Sequence, residues 1–394
     1  MKENSCCETG TGTSSSGIQI QPAFPQKTED EVCCGQPAGP PSSPFERPGY
    51  RICGFVESFI ELKSVQVPRI KSVLSIFDLA GTVMTRIGIN RNNYKVSPGL
   101  YGIGNPDPDS PVLVTANYKL SFDAVRKELK YTDAWLLVLD TRGINVWCAA
   151  GKGTFGTKEV VRSIKAAGLD TIVNHRNLIL PQLGATGVSA RQVKKECGFK
   201  VIWGPVRAAD IEKFLNSGMK AGQAMRRVTF TAMERLVLIP VEISISLKPM
   251  LWIVLVVFIL SGIGPDFFSV KAAWTRGLMA AAALAGGVFA GAVLTPAFLP
   301  KLPGRAFSIK GAITGILTAA FIIIWYWQDA GLLELSALLL FTMAVSSFLA
   351  MNFTGTTPFT SPTGVEKEMR KAIPVQIAAV FFAGVAWIGA GFSG

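Results

Sequence analysis

The segment AWLLVLDTRGINVWCAAGKGTFGTKEVVRSIKAAG, residues 134–168, contains the pattern that decides the fold of the first half of the chain. Ala134–Asp140 is an apolar run of strand length, and Thr157–Ala167 has helical periodicity with Gly168 just beyond its end. A buried strand followed by an amphipathic helix is the repeating unit of parallel sheets. We therefore predict an α/β domain around this segment.

The same alternation continues on both sides of it. Further strands are predicted at Pro111–Ala116, Lys200–Trp203 and, beginning a strand, Asp170–Val173. Further helices are predicted at Phe122–Leu129, Ser189–Cys197 and Ala208–Leu215. Strands alternating with helices favour a mainly parallel, doubly wound, Rossmann-like sheet covered on both faces, which we place at 49–220. Residues 50–110 have a weaker pattern, in which Pro68–Leu79 is the expected helix.

The second half of the chain is predicted to be an all-α membrane domain. Hydrophobic residues make up 49% of the sequence and charged residues only 17%, which argues against a wholly soluble protein. Five apolar spans occur at about 249–264, 277–299, 309–328, 332–352 and 373–392. Residues 221–248 are basic and then apolar, as expected of an interfacial linker. The domain at 249–394 is thus predicted to have five transmembrane helices.

The loops between the spans predict the orientation. Basic residues lie in the loops at 299–310 and 353–372, whereas the turn at 328–334 carries only Asp329 and Glu334. The positive-inside rule then places the N-terminal domain in the cytoplasm. The whole chain is expected to be a multi-pass protein of the inner membrane. Most of the net charge of +12 lies in residues 1–248, beside the membrane domain and without a nucleic-acid-binding motif, so no nucleic acid partner is expected.

Residues 1–48 are rich in Ser, Gly, Thr and Pro, and we predict a disordered tail there. Two vicinal pairs, Cys6-Cys7 and Cys33-Cys34, lie in this tail. They could hold a soft metal ion or be incidental, and the sequence leaves both open. No signal peptide is recognisable, so reduced thiols are expected.

The glycine-rich segment after the strand at 134–140 allows two interpretations. Gly151, Gly153 and Gly156 match the GxGxxG spacing of dinucleotide sites, but the acidic residue about 20 positions later is missing. Cys148, between Trp147 and two alanines, could instead face a large flat ligand, since small residues allow close approach. The alternative is that Cys148 is a buried cysteine with a purely structural role.

The sequence NVWCAAGK at 145–152 resembles the cap-helix signature of the HgcA family, membrane corrinoid proteins of microbial mercury methylation. The segments PVLVTANYK (111–119), LPQLGATGV (180–188) and WGPVRAADI (203–211) resemble the related corrinoid iron–sulfur proteins. With five spans following, the resemblance covers residues 50–394. It implies a corrinoid-dependent methyltransferase that binds base-off cobalamin and transfers a methyl group from cobalt to Hg(II), forming methylmercury.

The resemblance also implies site residues. Cys148 is the expected lower axial cobalt ligand, and Thr115 is expected to face the cap helix. The remaining expected cofactor-binding residues are Asn145, Val146, Trp147, Ala149, Ala150, Gly151, Lys152, Leu180, Pro181, Gln182, Leu183, Gly184, Ala185 and Thr186. His175 lacks the DxHxxG context of histidine-ligated cobalamin domains, so a cobalt ligand is not expected there.

A thiolate ligand suits an electrophilic acceptor. Hg(II) requires the methyl group to leave with electron density, as a carbanion equivalent or a radical, and an electron-rich sulfur would favour this. The implied partners are a ferredoxin-like electron donor with two 4Fe–4S clusters (HgcB) and a methyl donor, either a protein or a folate. Two alternatives stay open: a membrane-tethered methyl carrier of one-carbon metabolism, and a nucleotide-sensing membrane protein.

Overall fold

A computed structural model describes residues 39–43, 46–49, 53–62, 65–353 and 362–393. The predicted tail at 1–48 lies mostly outside these residues, and so do the cysteine pairs Cys6-Cys7 and Cys33-Cys34. The described residues form an α/β domain followed by a bundle of long apolar helices. The predicted fold class is therefore confirmed.

The main sheet has seven strands in the order β1-β2-β3-β5-β4-β6-β7. They are β1 (Val56–Glu61), β2 (Gln66–Ile70), β3 (Gly99–Ile103), β4 (Val112–Ala116), β5 (Ala134–Leu139), β6 (Asn177–Leu180) and β7 (Lys200–Trp203). The strands pair in parallel at β2–β3, β4–β5, β4–β6 and β6–β7, whereas β1–β2 and β3–β5 are antiparallel. The predicted parallel core is thus extended by three strands from the region whose sequence pattern was weak.

Seven helices belong to this domain: α1 (Ile76–Arg86), α2 (Lys119–Glu128), α3 (Val146–Lys152), α4 (Thr157–Ala166), α5 (Leu169–Ile172), α6 (Ala190–Cys197) and α7 (Ile211–Asn216). Alternate residues of each strand pack under different helices. Leu137 and Leu139 of β5 join a core with α3, α4 and α6, whereas Leu136 and Val138 join another with α2 and α7. The sheet is therefore covered on both faces.

Two predicted elements were wrong. The expected strand at Asp170–Val173 is instead helix α5, because the buried residues Leu169 and Val173 are four positions apart, a helical spacing. The expected helix at Pro68–Leu79 is strand β2 followed by α1. Pro68 is tolerated in β2 because β3 pairs only with Arg69 and Ile70, which leaves Pro68 at an open position.

The C-terminal half consists of α8 (Ala232–Leu236), α9 (Ile239–Ser261), a two-stranded ribbon of β8 (Ile263–Gly264) and β9 (Phe267–Phe268), α10 (Val270–Phe289), α11 (Thr295–Phe298), α12 (Phe307–Trp325), α13 (Leu332–Asn352) and α14 (Pro362–Ala390). Within the described part of the chain, five helical stretches are long and apolar enough to cross a membrane. The first helix begins at Ile239 rather than near residue 249, because it continues through Pro249.

The two ends of the bundle differ in charge. What we term the basic end carries Lys301, Arg305 and Lys310 after α11 and Lys367, Arg370 and Lys371 on α14. At the opposite end, Arg276 of α10 forms a 2.7 Å ion pair with Glu334 of α13 and a hydrogen bond to the Trp387 carbonyl of α14. At this end the Arg276 guanidinium therefore joins α10 to α9, α13 and α14.

Two GxxxG spacings occur in the apolar spans, Gly287/Gly291 and Gly311/Gly315, and both pack against α13. A Cβ atom added to Gly311 would lie 2.4 Å from the Ala350 Cβ, and one added to Gly291 would lie 2.5 Å from the Ser346 carbonyl oxygen. Gly287 and Gly315 have similarly little space. These glycines allow α10 and α12 to approach α13 backbone to backbone.

Candidate functional site

The candidate site lies at the carboxyl edge of the parallel strands, where β5 leads into α3. Asn117, directly after β4, is fully buried, and its Oδ1 accepts hydrogen bonds from the backbone N–H groups of Thr141 (3.1 Å) and Gly143 (3.0 Å). Its Nδ2 donates to Asp140 Oδ1 at 3.1 Å. Arg142 and Gly143 have left-handed φ angles of 57° and 78°. Asn117 thus fixes a sharp reversal that sets the start of α3.

Helix α3 has a defined start and end. Asn145 is the N-cap residue, and its Oδ1 accepts a hydrogen bond of 2.9 Å from the Cys148 N–H. Gly153 ends the helix in the left-handed conformation, with φ 80°. Cys148 is therefore held one turn inside a short helix that is capped at both ends.

The two faces of α3 have different environments. Val146, Ala149 and Ala150 are buried in the hydrophobic core, so these side chains point away from any ligand. Cys148 is half-buried and Gly151 is exposed, three residues apart on the outer face. Cβ atoms added to Gly151 or Gly153 would have no neighbour within 4 Å. There is therefore open space beside the Cys148 thiol, as a flat ligand would need.

The other predicted site segments lie against α3. The helix packs on β4, which carries the buried Thr115, and on the short 3₁₀-helix Gln182–Gly184. A Cβ atom on Gly187 would lie 2.4 Å from the Phe155 carbonyl oxygen and 3.0 Å from Ala150 Cα. The loop after β6 thus touches the cap helix, and the structure brings the three predicted segments together.

Within the predicted segments, the residues differ in exposure. Leu180 is fully buried in the core and its carbonyl accepts a 2.8 Å hydrogen bond from the Gly204 N–H, so its side chain does not face the open space. The more accessible members of the set are Trp147, Lys152, Pro181, Gln182, Leu183, Ala185 and Thr186. Gly184 is buried against the ring of Phe155.

Tyr118 was missed by the sequence analysis although it lies in the quoted VTANYK segment. Its hydroxyl is buried and has no hydrogen-bond partner among the described residues. Burial raises the pKa of Tyr118; the positive charges of Arg91 and Arg86 oppose this rise, and the charge of Cys148 adds to it. The hydroxyl therefore keeps its proton at neutral pH and is available as a donor near Cys148.

Asn117 and Tyr118 could have been found from their position. Polar residues immediately after a buried parallel strand lie where ligands bind in open α/β sheets. Arg86 and Arg91 could not have been found, because they come from the region of weak pattern that precedes β3. An orphaned buried hydroxyl directly after β4, at the same edge of the sheet as α3, fits a site for a large polar ligand.

The dinucleotide interpretation of Gly151, Gly153 and Gly156 does not fit the geometry. In that fingerprint the first glycine follows a strand directly, whereas here Gly151 lies inside α3, more than ten residues after the end of β5. His175 is also remote from Cys148. It precedes β6 at the amino edge of the sheet, where its Nδ1 accepts from the Asn177 N–H and its Nε2 donates to the Ser110 carbonyl at 2.9 Å.

The α/β domain is similar in sequence to known proteins. Residues 58–215 match the family described as CO dehydrogenase/acetyl-CoA synthase delta subunit. Gamma subunits of the acetyl-CoA decarbonylase/synthase complex from Archaeoglobus fulgidus and Methanopyrus kandleri are each 35% identical over 127 residues, 32% of this chain and 27% of theirs. The subunit from Methanothermobacter thermautotrophicus is 29% identical over 174 residues, 41% of this chain and 38% of its own. The chain thus spans about a quarter to two fifths of the length of these relatives, and the family match at 58–215 lies in the domain that carries Cys148.

Proposed function

We propose that this chain is a membrane-anchored corrinoid methyltransferase that passes a methyl group to Hg(II), with Cys148 as the lower axial ligand of a base-off cobalamin. The observation that carries the proposal is the position of Cys148. It lies on the outer face of a doubly capped helix at the carboxyl edge of the sheet, beside open space.

The comparisons support the general part of the proposal. The matched family and the gamma subunits form the corrinoid iron–sulfur protein family, whose members serve a methyl-transferring complex. A corrinoid methyl carrier is therefore the coarser conclusion that they favour. The specific acceptor, Hg(II), rests on the resemblance of NVWCAAGK at 145–152 to the HgcA family.

The residues around Cys148 each have a physical task in this proposal. Asn145 and Gly153 hold the helix that carries the thiol, and Gly151 keeps the adjacent surface flat. Tyr118 can donate a hydrogen bond to a polar edge of the ligand or to the sulfur. Thr115, on the strand beneath the helix, is the second hydroxyl proposed to act near the sulfur.

When bound, a corrinoid supplies a cobalt atom that accepts and releases a methyl group. If Cys148 held the cobalt, its sulfur would supply electron density to the metal. This would favour release of the methyl group with its electrons, which an electrophile such as Hg(II) requires. A neutral hydroxyl or imidazole ligand would favour this less, so the identity of residue 148 decides the class of acceptor.

The proposal also needs partners. Among the described residues no group of three or more His, Cys, Asp or Glu side chains could hold a metal ion. Electrons would come from a ferredoxin-like protein with two 4Fe–4S clusters (HgcB), and the methyl group from a donor protein or a folate. We place the α/β domain and the basic end of the bundle on the cytoplasmic side of the inner membrane.

The test uses the full-length protein in nanodiscs, loaded anaerobically with cobalamin. We expect a stoichiometric corrinoid spectrum with a sulfur–cobalt band, and methylation of Hg(II) by the methylated form. Cys148→Ala should lose both the band and the transfer. Cys197→Ala is the matched control, because its thiol is half-buried on α6 and bonds the Val193 carbonyl. Equal spectra for wild type and Cys148→Ala would refute the ligand assignment.

A second candidate function has specific support. The relatives are subunits of a complex that makes or cleaves acetyl-CoA, which favours a carrier that hands its methyl group to another protein. Competition separates the two candidates. If Hg(II) at equimolar concentration does not divert the methyl group from a protein acceptor, the carrier function is supported and the mercury-specific proposal fails.

A further inference from the structure

Helix α1 has its polar residues inside and its apolar residues outside. Asp78 and Thr85 are its buried residues, seven positions apart on one face. The exposed apolar side chains on the other faces are Ile76 (76%), Phe77 (84%), Leu79 (53%), Val83 (59%) and Met84 (46%). A contiguous exposed apolar patch of this kind normally marks a contact with another protein or with a membrane.

The buried side of α1 explains how it is held. Asp78 accepts from Lys119 Nζ at 2.7 Å and pairs with Arg126 Nη2 at 2.9 Å, an ion pair without hydrogen-bond geometry. Asp78 also completes a capping box with Ser75. Tyr94 packs under Gly81, because a Cβ there would lie 2.3 Å from the tyrosine hydroxyl oxygen. The helix is therefore anchored through polar contacts, which leaves its apolar faces free.

The end of α1 touches the first membrane helix. A Cβ atom on Gly88 would lie 3.2 Å from Ser244 Cβ and 3.9 Å from Val241 Cγ2 of α9. Arg91, three residues later, is close enough to Glu242 of α9 to interact electrostatically. The segment that follows α1 thus lies beside α9 and next to the bundle.

The position of this contact along α9 can be compared with the ends of the neighbouring bundle helices α12 and α13. Leu238, directly before α9, packs with Phe307 at the start of α12 and Phe353 at the end of α13, which marks the basic end. Ser244 is six residues further along α9, about 9 Å deeper at 1.5 Å per residue. The contact with Gly88 therefore lies less than two helical turns along α9 from the level at which α12 begins and α13 ends, where we place the headgroups.

The charges beside the patch also suit lipid. Arg86 is exposed at the end of α1, and neither Arg86 nor Arg91 forms an ion pair within the described part of the chain. Cations at the headgroup level attract anionic phospholipids. An amphipathic helix with apolar residues on one side and Arg at its end is the composition expected of an interfacial helix.

We propose that α1 is a monotopic membrane helix: its apolar face, Ile76 to Met84, inserts into the headgroup–acyl boundary of the same leaflet that α9 enters, and Arg86 binds an anionic phospholipid. This inference is independent of the proposed methyl transfer.

The test places the photoreactive residue benzoylphenylalanine at position 77 of the full-length protein in nanodiscs of equal phosphatidylglycerol and phosphatidylcholine. Position 76, also strongly exposed, is the second site, and position 131, where Tyr131 is 81% exposed, is the control. After irradiation, intact-mass analysis should show lipid adducts at 77 and 76 and at most a few per cent as many at 131. Adducts absent from both 77 and 76, or equal in amount at 131, would overturn the proposal.

The same measurement tests the lipid class and the rival occupant. We expect phosphatidylglycerol adducts to exceed phosphatidylcholine adducts several-fold, and Arg86→Glu to remove this preference while the adducts themselves remain. No preference in the unchanged protein would refute the role of Arg86. In native membranes, crosslinking of position 77 to a second protein in place of lipid would show that α1 is a protein-docking surface and would overturn the insertion proposal.

Discussion

Replacement of Tyr118 should affect the stability of the protein and its affinity for the ligand differently. A buried hydroxyl without a partner costs free energy in the ligand-free protein, so Tyr118→Phe should leave the thermal midpoint unchanged or raise it slightly. If the hydroxyl donates to the corrinoid or to the sulfur, cobalamin affinity should fall by about 1 kcal/mol, roughly 5-fold. Equilibrium titration of the full-length variant measures this.

Tyr101 supplies the matched control, because it is equally buried and its hydroxyl donates to the Ser97 carbonyl at 2.7 Å. Tyr101→Phe should lower the thermal midpoint and leave cobalamin affinity unchanged. If Tyr118→Phe instead lowers stability without changing affinity, its hydroxyl has a structural partner and plays no part in binding.

Asp78 gives a prediction about pH. Burial opposes ionisation of Asp78, but the Lys119 ammonium and the Ser75 donors outweigh burial and hold its pKa well below the usual range. Asp78→Asn leaves Lys119 and Arg126 to share Asp123, so at pH 7 the free energy of unfolding should fall by roughly 3 kcal/mol. For a domain of this size that is roughly 6–12 °C in thermal midpoint.

The sign of the pH dependence follows from the lowered pKa. The stability that Asp78 contributes is complete above the unfolded-state pKa of about 4 and is lost as the pH falls below it toward the folded-state value. The midpoints of wild type and Asp78→Asn should therefore converge between about pH 4 and pH 2. The exposed Asp109, replaced by Asn, should show a small difference at every pH, and a constant gap for Asp78→Asn would contradict the ion-pair argument.

At the scale of elements, α3 should respond differently to changes on its two sides. Gly151→Ala adds a methyl group on the Cys148 face, where the ligand-free structure has open space. Because alanine is the better helix former, stability should stay the same or rise by about 0.5–1 kcal/mol. Cobalamin affinity should fall at least tenfold (an expected order of magnitude, about 1.4 kcal/mol), since the methyl group occupies the plane of the ligand.

A helical glycine with equal space but far from the site provides the comparison. Gly384 of α14 has no neighbour within 4 Å of an added Cβ, so Gly384→Ala should change neither stability of the α/β domain nor cobalamin binding. Thermal unfolding and cobalamin titration, run on both variants, decide the matter. Undiminished binding by Gly151→Ala would show that the ligand does not approach this face.

The elements also show what sequence reasoning can and cannot reach. Strand β7 and helix α4 were predicted to within one residue, because their apolar repeat matches burial on one side of the sheet. Helix α1 was not, because its apolar residues face outward and the buried Asp78 depends on Lys119, 41 residues away in the chain. Pattern analysis assumes that apolar side chains are buried. Those of α1 are exposed, next to the membrane helix α9.

In the candidate site, too, the part that is local in sequence was predictable, whereas the contacts between distant segments were not. The motif around Cys148 is local, so Asn145 and Gly151 could be placed on one short helix from the sequence. The contact of that helix with Gly187 and its packing on β4 depend on how distant segments meet. Such contacts carry no signal in the spacing of either segment.

At the scale of the whole molecule, α8 joins the two halves. Arg207, after β7, pairs with Glu234 of α8 at 2.5 Å, and the neighbouring Arg235 is buried with its Nε donating to the Pro296 carbonyl of α11 at 2.7 Å. Arg235 also donates to the Phe230 carbonyl. A chain of polar contacts therefore runs from the α/β domain into the basic end of the bundle, so the position of the candidate site over the membrane depends on α8.

Arg235→Ala should loosen this junction. The variant leaves the buried Pro296 carbonyl and the Phe230 carbonyl without their donor, at a cost of about 2 kcal/mol for local opening, or roughly 30-fold in the opening equilibrium. Limited proteolysis in nanodiscs should then cleave residues 217–231 roughly 30-fold faster, while bound cobalamin is retained.

Arg276→Ala is the matched control, since it removes a guanidinium that also joins helices, but at the opposite end. It should destabilise the bundle without exposing residues 217–231. Equal cleavage rates for both variants would mean that α8 does not hold the domain in place, and that the depth of α1 in the lipid is set by α1 itself.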